Sequence, residues 1–234
     1  MNMHGKVTDN SILKKTIAGL HAKYSHPRRV IILSEFIAAF IKKNIPTEKK
    51  LKCLDVGCGD MQIAEHIAGI LPNTSWTCID TFHVPENNIH KDKWVKYIKF
   101  DGVTIPFEKK AFDIVLFCDV LHHAGDAMLS LLKQAGCIAD YVLIKDHLEY
   151  SWYSRFILRL MDIYGNWGYG VSIPRKYFTT HSFRDSIALS ELSEMHLHVG
   201  IELYPQLPLL RIILKPEYHF IALLKGYEHS LMHK

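Results

Sequence analysis

The sequence lacks the features that mark secreted and membrane-spanning proteins. None of its five cysteines lies in a CxxC pair, and their odd number argues against a disulfide framework. The longest apolar run near the front, residues 30–41, is interrupted by Ser34 and Glu35 and is too short to span a bilayer. Residues 1–9 are polar, so we expect no signal peptide there. These absences predict a reduced, cytoplasmic protein.

The sequence also has little excess of charge of one sign and no apparent repeats. The net charge is only +4 and no block of five or more like charges occurs, so the sequence does not favour nucleic acid as a partner. The fifteen histidines are scattered, which argues against a single metal cluster, and we predict no metal ligands. A length of 234 residues, 48% of them hydrophobic and 22% charged, is typical of about one globular α/β domain.

The chain is organised around a glycine turn between a strand and a helix. Residues 51–56 form a short apolar run with the length of a buried strand. Gly57 and Gly59 then permit a tight turn, and residues 62–70 have the apolar spacing of a helix. Free backbone amides at the start of such a helix bind anionic or polar groups. The stretch therefore predicts the nucleotide-binding half of a doubly wound sheet.

Two acidic residues make the ligand of this turn more specific. Asp80 ends the predicted second strand 21 residues after Gly59, the distance at which an acid binds ribose hydroxyls in such folds. Asp55 lies at the front edge of the turn, where it would repel a pyrophosphate and attract an ammonium group. A dinucleotide fingerprint also needs a third glycine where Gln62 stands. The turn therefore predicts a nucleoside ligand with a zwitterionic tail.

Four segments of the chain match the motifs of one enzyme family. Residues 54–59, Leu-Asp-Val-Gly-Cys-Gly, resemble its first motif, and Asp80 stands where the family has its ribose-binding acid. Residues 100–102, Phe-Asp-Gly, resemble its adenine-binding segment, and residues 112–123 resemble its fourth strand and the loop that follows. The chain resembles the class I S-adenosylmethionine-dependent methyltransferases over about residues 50–225.

The resemblance implies a fold, a cofactor and a set of binding residues. The implied fold is α/β: a doubly wound, mostly parallel, Rossmann-like sheet of seven strands, with helices on both faces and an antiparallel last strand. The implied cofactor is S-adenosyl-L-methionine. The residues implied to bind it are Asp55, Gly57, Cys58, Gly59, Asp80, Asp101, Gly102 and Asp119. One departure is Met61, because the family usually has a glycine two places after Gly59.

The same resemblance divides the chain into two parts. Residues 1–48 form a predicted N-terminal helical cap with helices at about 11–24 and 27–43, and residues 49–225 form the cofactor-binding domain. Such leading helices cover the cofactor or the substrate entrance in the family, and packing on the sheet alone is the open alternative.

Strands are predicted at residues 51–56, 76–80, 95–100, 112–118, 141–145, 196–203 and 220–224, and a helix at 176–192. The fourth strand is the most apolar and is predicted to lie centrally.

An aromatic-rich insertion follows the predicted fifth strand, at about residues 147–180. Four side chains share one face of a predicted helix within it: Trp152, Phe156, Leu160 and Tyr164. Three glycines in residues 165–170 predict a loop. Three interpretations of the insertion stay open: additional core, a lid over an apolar substrate, or weak contact with a membrane surface.

Histidines at the predicted strand ends are the candidates for catalysis. Methyl transfer from a sulfonium depends on alignment of the acceptor and exclusion of water, and a base is needed only where the acceptor must lose a proton. Histidine serves that role near pH 7. His122, His123 and His147 lie at strand ends, and we predict His123, His147 and Asp146 as the catalytic set. Asp146 would orient His147 or bind a metal.

The predicted reaction is methyl transfer to an oxygen or nitrogen of a small, apolar or lipid-like molecule. The aromatic insertion suits such an acceptor better than RNA, which usually meets a larger basic surface. Two other classes stay open. An NAD(P)-dependent oxidoreductase has a similar fold but is disfavoured by Gln62 and Asp55, and Met61 keeps open a non-catalytic nucleoside-binding or interaction protein. The sequence does not predict the oligomeric state.

Overall fold

The computed structural model describes residues 26–82, 95–166, 173–204 and 210–226. The helices in these ranges are α1 (His26–Asn44), α2 (Gln62–Ile70), α3 (Met128–Ile138), α4 (Trp152–Asn166) and α5 (Thr180–Leu189). The strands are β1 (Leu51–Val56), β2 (Thr74–Asp80), β3 (Val95–Lys99), β4 (Phe112–Cys118), β5 (Ala139–His147), β6 (Leu192–Val199) and β7 (His219–Gly226). None of the helices described is long and apolar enough to cross a membrane.

The strands form one seven-stranded sheet in the order β3-β2-β1-β4-β5-β7-β6. Strands β1 to β5 pair in parallel, and β7 lies antiparallel between β5 and β6. This topology confirms the predicted doubly wound α/β fold with its antiparallel last strand. The strand order reverses between β1 and β4, and ligands of open α/β sheets bind at the carboxyl ends of the strands beside such a reversal.

The core lies on both faces of the sheet, and β4 supplies both halves. Ile114 and Leu116 belong to the cluster beneath α1 and α2, whereas Val115 and Phe117 belong to the cluster beneath α3 and α5. A strand that is buried on both faces has an almost continuous apolar sequence. The prediction that the most apolar strand lies centrally is therefore confirmed.

Helix α1 packs directly on this sheet. Its side chains Leu33, Ile37 and Ile41 are buried in the same cluster as Cys53 of β1 and Leu116 of β4. The described part of the predicted N-terminal cap thus shares the core of the main domain. The helix predicted at about residues 11–24 lies outside the described residues.

Several element bounds differ from those predicted. Strand β5 is longer than predicted because β7 pairs with it as far as Asp146 and His147, which therefore belong to the strand. Strand β6 begins at Leu192 rather than at residue 196, because α5 ends at Leu189 and the chain turns through Glu191 with φ 56°. Helix α4 extends through residue 166, and residues 167–170 of the predicted glycine loop lie outside the described residues.

Met61 joins the glycine turn to helix α2 in an unusual conformation. It precedes the helix with φ 66° and ψ −2°, the left-handed region in which glycine is the usual residue. Its side chain is only 2% exposed and packs in the core cluster beneath α1 and α2. The turn thus has the backbone conformation that a glycine would adopt, and burial of the methionine side chain offsets the strain.

We predict that Met61→Gly folds but is less stable by about 1–3 kcal/mol. Release of the left-handed strain would contribute about 1–2 kcal/mol, and loss of the buried side chain would cost about 2–5 kcal/mol. Urea denaturation gives the difference in the free energy of unfolding. Lys110→Gly is the matched control, because Lys110 also has a positive φ, 58°, but is exposed. The control should be unchanged or slightly more stable, and a stabilised Met61→Gly would contradict the argument.

Candidate active site

The two glycines of the turn after β1 serve different purposes. Gly57 has φ 76°, and a Cβ there would lie 2.2 Å from Cγ2 of Val120, so this backbone must approach the segment after β4 closely. Gly59 has φ 56°, and none of the described residues comes within 4 Å of where its Cβ would be. The backbone amide of Cys58 between them donates to the carbonyl oxygen of Ile79 at 3.3 Å. The turn is therefore fixed to its neighbours at Gly57 and open at Gly59.

Asp80 links the end of β2 to this turn. Its Oδ2 accepts a hydrogen bond from the amide of Gly59 at 2.8 Å, and its Oδ1 accepts from the amide of Thr81 at 2.6 Å. The carboxylate is 6% exposed. Oδ1 also accepts from the amide of Phe82 at 3.3 Å and the hydroxyl of Thr81 at 3.4 Å, so the acceptor capacity left for a ligand hydroxyl is the second lone pair of Oδ2. The predicted ribose-binding acid thus lies directly beside the open glycine.

Asp55 is buried in β1 with one oxygen atom unsatisfied. Its Oδ1 has no hydrogen-bond partner among the residues that the structure describes, and the residue is 2% exposed. Burial, together with the charges of Asp80 and Asp60, raises the pKa of the Asp55 carboxyl to about 8. An ammonium group would supply both the missing donor and the missing positive charge. The residue therefore fits the amino group of a ligand such as S-adenosylmethionine.

The loop after β3 lies close to the end of β2. Gly102 has φ 84°, and a Cβ there would lie 2.9 Å from Cγ2 of Thr81. Asp101 is exposed, and its Oδ1 accepts from the amides of Val103 at 2.8 Å and Thr104 at 2.7 Å. These hydrogen bonds from Thr104 and Val103 lower the pKa of Asp101. The predicted adenine segment is thus an ordered loop beside the predicted ribose-binding acid.

Asp119 lies at the carboxyl end of β4 among basic groups. It has φ 55°, and its amide donates to the carbonyl of Lys145 at 2.8 Å. Its carboxylate accepts from Lys145 Nζ at 2.5 Å and from Arg29 of α1. Burial disfavours the ionised form, but Lys145, His147 and Arg29 hold the pKa of Asp119 well below its usual range. This predicted cofactor residue is therefore an ionised acid that joins β4, β5 and α1.

A second polar cluster surrounds His122, which follows β4. His122 Nδ1 lies 2.5 Å from Asp146 Oδ1, and His122 Nε2 lies 3.7 Å from Asp162 Oδ2 of α4. Burial favours a neutral ring, but Asp146 and then Asp162 outweigh it and raise the pKa of His122 to about 10. The hydroxyl of Tyr177 donates to Asp162 Oδ2, and the His123 ring lies 4.1 Å from that of His122 between centroids.

The predicted catalytic residues all lie in or beside this cluster. Asp146 is fully buried and accepts from the His147 amide at 2.7 Å. His147 is 5% exposed, and within the described part of the chain its Nδ1 has no hydrogen-bond partner, although Asp119 Oδ1 lies 3.3 Å away. His123 is half-buried. The structure thus brings the three together, with Asp146 oriented towards His122 rather than towards the side chain of His147.

Sequence reasoning missed several members of these clusters, among them Arg29, Lys145, Asp162 and Tyr177. Lys145 could have been predicted as a member of a buried ion pair, because a lysine inside an apolar strand needs a buried acidic partner. Asp162 lies on the face of α4 opposite the aromatic residues, which a helical projection could have separated. Arg29 and Tyr177 gave no local signal, since their partners are distant in the sequence.

Helix α4 lies beside the segment after β4 and buries apolar and polar side chains together on its inner face. Ile157, Leu158 and Asp162 are buried, and Asp162 faces His122. The four residues of the predicted aromatic face point outwards, and we call them the aromatic stripe: Trp152, Phe156, Leu160 and Tyr164, exposed by 78, 53, 46 and 40%. These four side chains lie outside the core, whereas Ile157 and Leu158 of the same insertion form a small core with Tyr177 and Tyr218. A shallow groove runs along the stripe.

Part of the chain matches a known protein family. Residues 54–136, which run from β1 through the glycine turn and β4 into α3, match the family model described as "Methyltransferase domain". A comparison with curated proteins gives no match.

Solved structures have the same fold at low sequence identity. A chain of the complex between the Haloferax volcanii methyltransferase activator Trm112 and a methyltransferase is similar with a TM-score of 0.65 and 11% identity, over 94% of this chain and 98% of that one. A sarcosine dimethylglycine methyltransferase from Galdieria sulphuraria is similar with a TM-score of 0.59 and 12% identity, over 82% and 84%. An S-adenosylmethionine-dependent methyltransferase from Aquifex aeolicus is similar with a TM-score of 0.58 and 14% identity, over 92% and 98%.

The solved structures and the family model support different conclusions about this chain. At under 15% identity, the solved structures establish the fold, and the family model matches residues 54–136 as a methyltransferase domain. The open glycine turn with its two acids fits the cofactor that the family uses. The domain match over residues 54–136, the order of the strands in the sheet and the glycine turn make the chain similar to S-adenosylmethionine-dependent methyltransferases.

Proposed function

We propose that the enzyme binds S-adenosylmethionine along the carboxyl ends of β1, β2 and β3 and transfers its methyl group to a lipid-like acceptor. The observation that carries the cofactor position is the unsatisfied Oδ1 of Asp55 near the open turn at Gly59. Asp55 would bind the amino group of the cofactor, Asp80 would bind the ribose, and Asp101 with Gly102 would contact the adenine. Cys58 would contribute its backbone to the turn.

The residues of the site would bind, orient and exclude water. The cofactor supplies a methyl group already activated on a sulfonium, so the protein needs no covalent step. The carboxylate of Asp119 is engaged by Lys145 and Arg29, and its neighbour Val120 touches the turn at Gly57. We therefore assign Asp119 the task of fixing the segment after β4 against the cofactor turn.

The proposed acceptor is an amphiphile that the aromatic stripe meets at a lipid surface. The stripe is an exposed apolar face on a helix whose other face is anchored to the fold, and Trp152 is its most exposed member. Tryptophan, phenylalanine and leucine on one side of a surface helix, with arginine beside them, are typical of helices that lie in a membrane interface. Arg159 supplies the basic group, whereas Arg155 is paired with Glu149 at 2.6 Å. A soluble acceptor would not require this exposed apolar face.

Cofactor affinity should rise with pH. The pKa of Asp55 is about 8 in the free protein, so binding of an ammonium group below pH 8 must release the proton of this carboxyl. We expect the affinity for S-adenosylhomocysteine to increase up to about tenfold per pH unit from pH 6 to 8 and then to level off. Calorimetry in two buffers of different ionisation enthalpy measures the released proton.

Three variants test the assignment. Asp55→Asn should bind with no pH slope. Asp80→Ala should weaken binding by about 1–3 kcal/mol above pH 8 and should keep a slope that levels off at a lower pH, because the charge of Asp80 helps raise the pKa of Asp55. Asp140→Asn, at the amino end of β5, is the matched control and should behave as wild type. A slope that persists in Asp55→Asn would assign the proton to another group.

Where the acceptor is a hydroxyl, we propose His147 as the base. Its Nδ1 is unsatisfied, and Asp119 and Asp146 lie beside it. His147→Gln should slow transfer to a hydroxyl by about 10²–10⁴ and leave cofactor affinity unchanged. Single-turnover assays with labelled S-adenosylmethionine measure the rate, and an equal loss of cofactor affinity would assign His147 a structural role instead.

The acceptor class can be tested by fractionation. Extracts of the source cells are separated into lipid and aqueous fractions, incubated with the enzyme and labelled S-adenosylmethionine, and the label in each is counted. We expect label in the lipid fraction and at least a tenfold loss for the double variant Trp152→Ser/Phe156→Ser, because each buried aromatic side chain contributes about 1.5–3 kcal/mol. Leu189→Ser, at an apolar residue of α5 that is 60% exposed, is the control. Label confined to the aqueous fraction would overturn the proposal.

A further inference from the structure

We propose that the protein has a site for a divalent transition metal, with His122 Nε2, a ring nitrogen of His123 and a carboxylate oxygen of Asp162 as ligands. The potential ligand atoms of these three residues lie within 4.8 Å of one another. The site joins the segment after β4 to helix α4, across 40 residues of sequence. The inference goes beyond methyl transfer and does not depend on it.

The first argument is the unsatisfied nitrogen of His122. The side chain is only 1% exposed, and no atom in the described ranges of the chain makes a hydrogen bond to its Nε2. The atom lies 3.7 Å from Asp162 Oδ2, which is too far for a hydrogen bond. Two ligand atoms at about 2.0–2.2 Å from a tetrahedral ion are about 3.3–3.6 Å apart. The gap between these atoms therefore suits a shared cation better than a shared proton.

The second argument is the way in which His122 is held. Its other nitrogen, Nδ1, lies 2.5 Å from Asp146 Oδ1, and Asp146 is fixed by the amide of His147 at 2.7 Å. Histidines that bind metal almost always donate the opposite N–H to a carboxylate or carbonyl, which fixes the tautomer and aims the free nitrogen at the ion. The hydroxyl of Tyr177 orients Asp162 in the same way.

The ligand set indicates the class of ion. Two imidazoles and one carboxylate bind Zn²⁺, Co²⁺ or Fe²⁺, whereas Mg²⁺ and Ca²⁺ prefer oxygen ligands. A second group, His122, Asp146 and His147, also has its ligand atoms close together. That group would need the Nδ1 of His122, which already bonds to Asp146. We therefore place the ion on the Nε2 side, where Asp162 lies.

The competing occupant of the gap is a proton on His122. An imidazolium between Asp146 and Asp162 would neutralise the same carboxylates without any metal. A metal site and a protonated His122 predict different results when metal is added to the protein. An ion held by His122 is lost when Asp162 becomes an amide, whereas a protonated His122 gives no binding in either protein.

The experiment is metal titration of the full-length chain after removal of metals by a chelator. Zn²⁺ binding is followed by calorimetry, and Co²⁺ binding by its visible absorption, which is intense only for four-coordinate ions. We expect a single ion per chain for wild type. Asp162→Asn and His122→Gln should weaken binding by at least about 100-fold, and Asp146→Asn, which removes only the partner of a ligand, by about 10–100-fold.

Controls separate this site from adventitious binding and from unfolding. His181→Gln removes an exposed histidine that lies 3.4 Å from Asp185, and it should bind Zn²⁺ as wild type does. Circular dichroism shows whether each variant is folded, and His123→Gln replaces any variant that is not. Absence of tight binding to wild type, or equal binding by wild type and both Asp162→Asn and His123→Gln, would overturn the proposal and leave the proton as the occupant.

Discussion

The structure depends most on the buried charge of Asp119. This carboxylate lies at the end of the central strand β4 and is met by Lys145 from β5 and Arg29 from α1. An ionised acid without these partners would be very unfavourable in the core, and removal of one partner of a buried pair commonly costs about 3–5 kcal/mol. The ion pairs therefore fix how the first described helix, the middle of the sheet and the segment after β4 meet. The cofactor turn then packs on that segment, where Gly57 contacts Val120.

The fold could be predicted because its signals are local. Each strand of the parallel part is an apolar run bounded by turns, and the most apolar one, β4, lies in the middle of the sheet. The predicted ends of the strands were less accurate where pairing with a neighbouring strand sets them. Strand β5 extends to His147 because β7 continues the ladder beside it, and β6 is placed by the same neighbour. Hydrogen bonds between strands that are distant in sequence leave little trace in local periodicity.

The residues on the cofactor side of the site could also be predicted from the sequence. The side-chain clusters on the opposite side could not. The glycine turn and Asp80 lie 21 residues apart, so their spacing carries information about one strand-turn-helix-strand unit. The clusters around Asp119 and His122 instead contain side chains from α1 and α4 and the side chain of Tyr177. The positions of these side chains follow from the tertiary fold. Met61 is a further example, because its left-handed backbone contradicts its residue type until its burial is known.

Helix α4 combines the two parts of the site. Its inner face carries Asp162 to the buried histidines, and its outer face presents the aromatic stripe to the surroundings. An amphipathic pattern in a sequence predicts that one face is buried, and the apolar face is the usual choice. Here the inner face of α4 buries Ile157 and Leu158 together with Asp162, whose charge has partners under the helix, and the stripe is a second apolar face that stays exposed. A helix held on its inner face by apolar packing and by charge can leave a second apolar face exposed, and that exposed face is the structural reason for our proposal of an apolar acceptor.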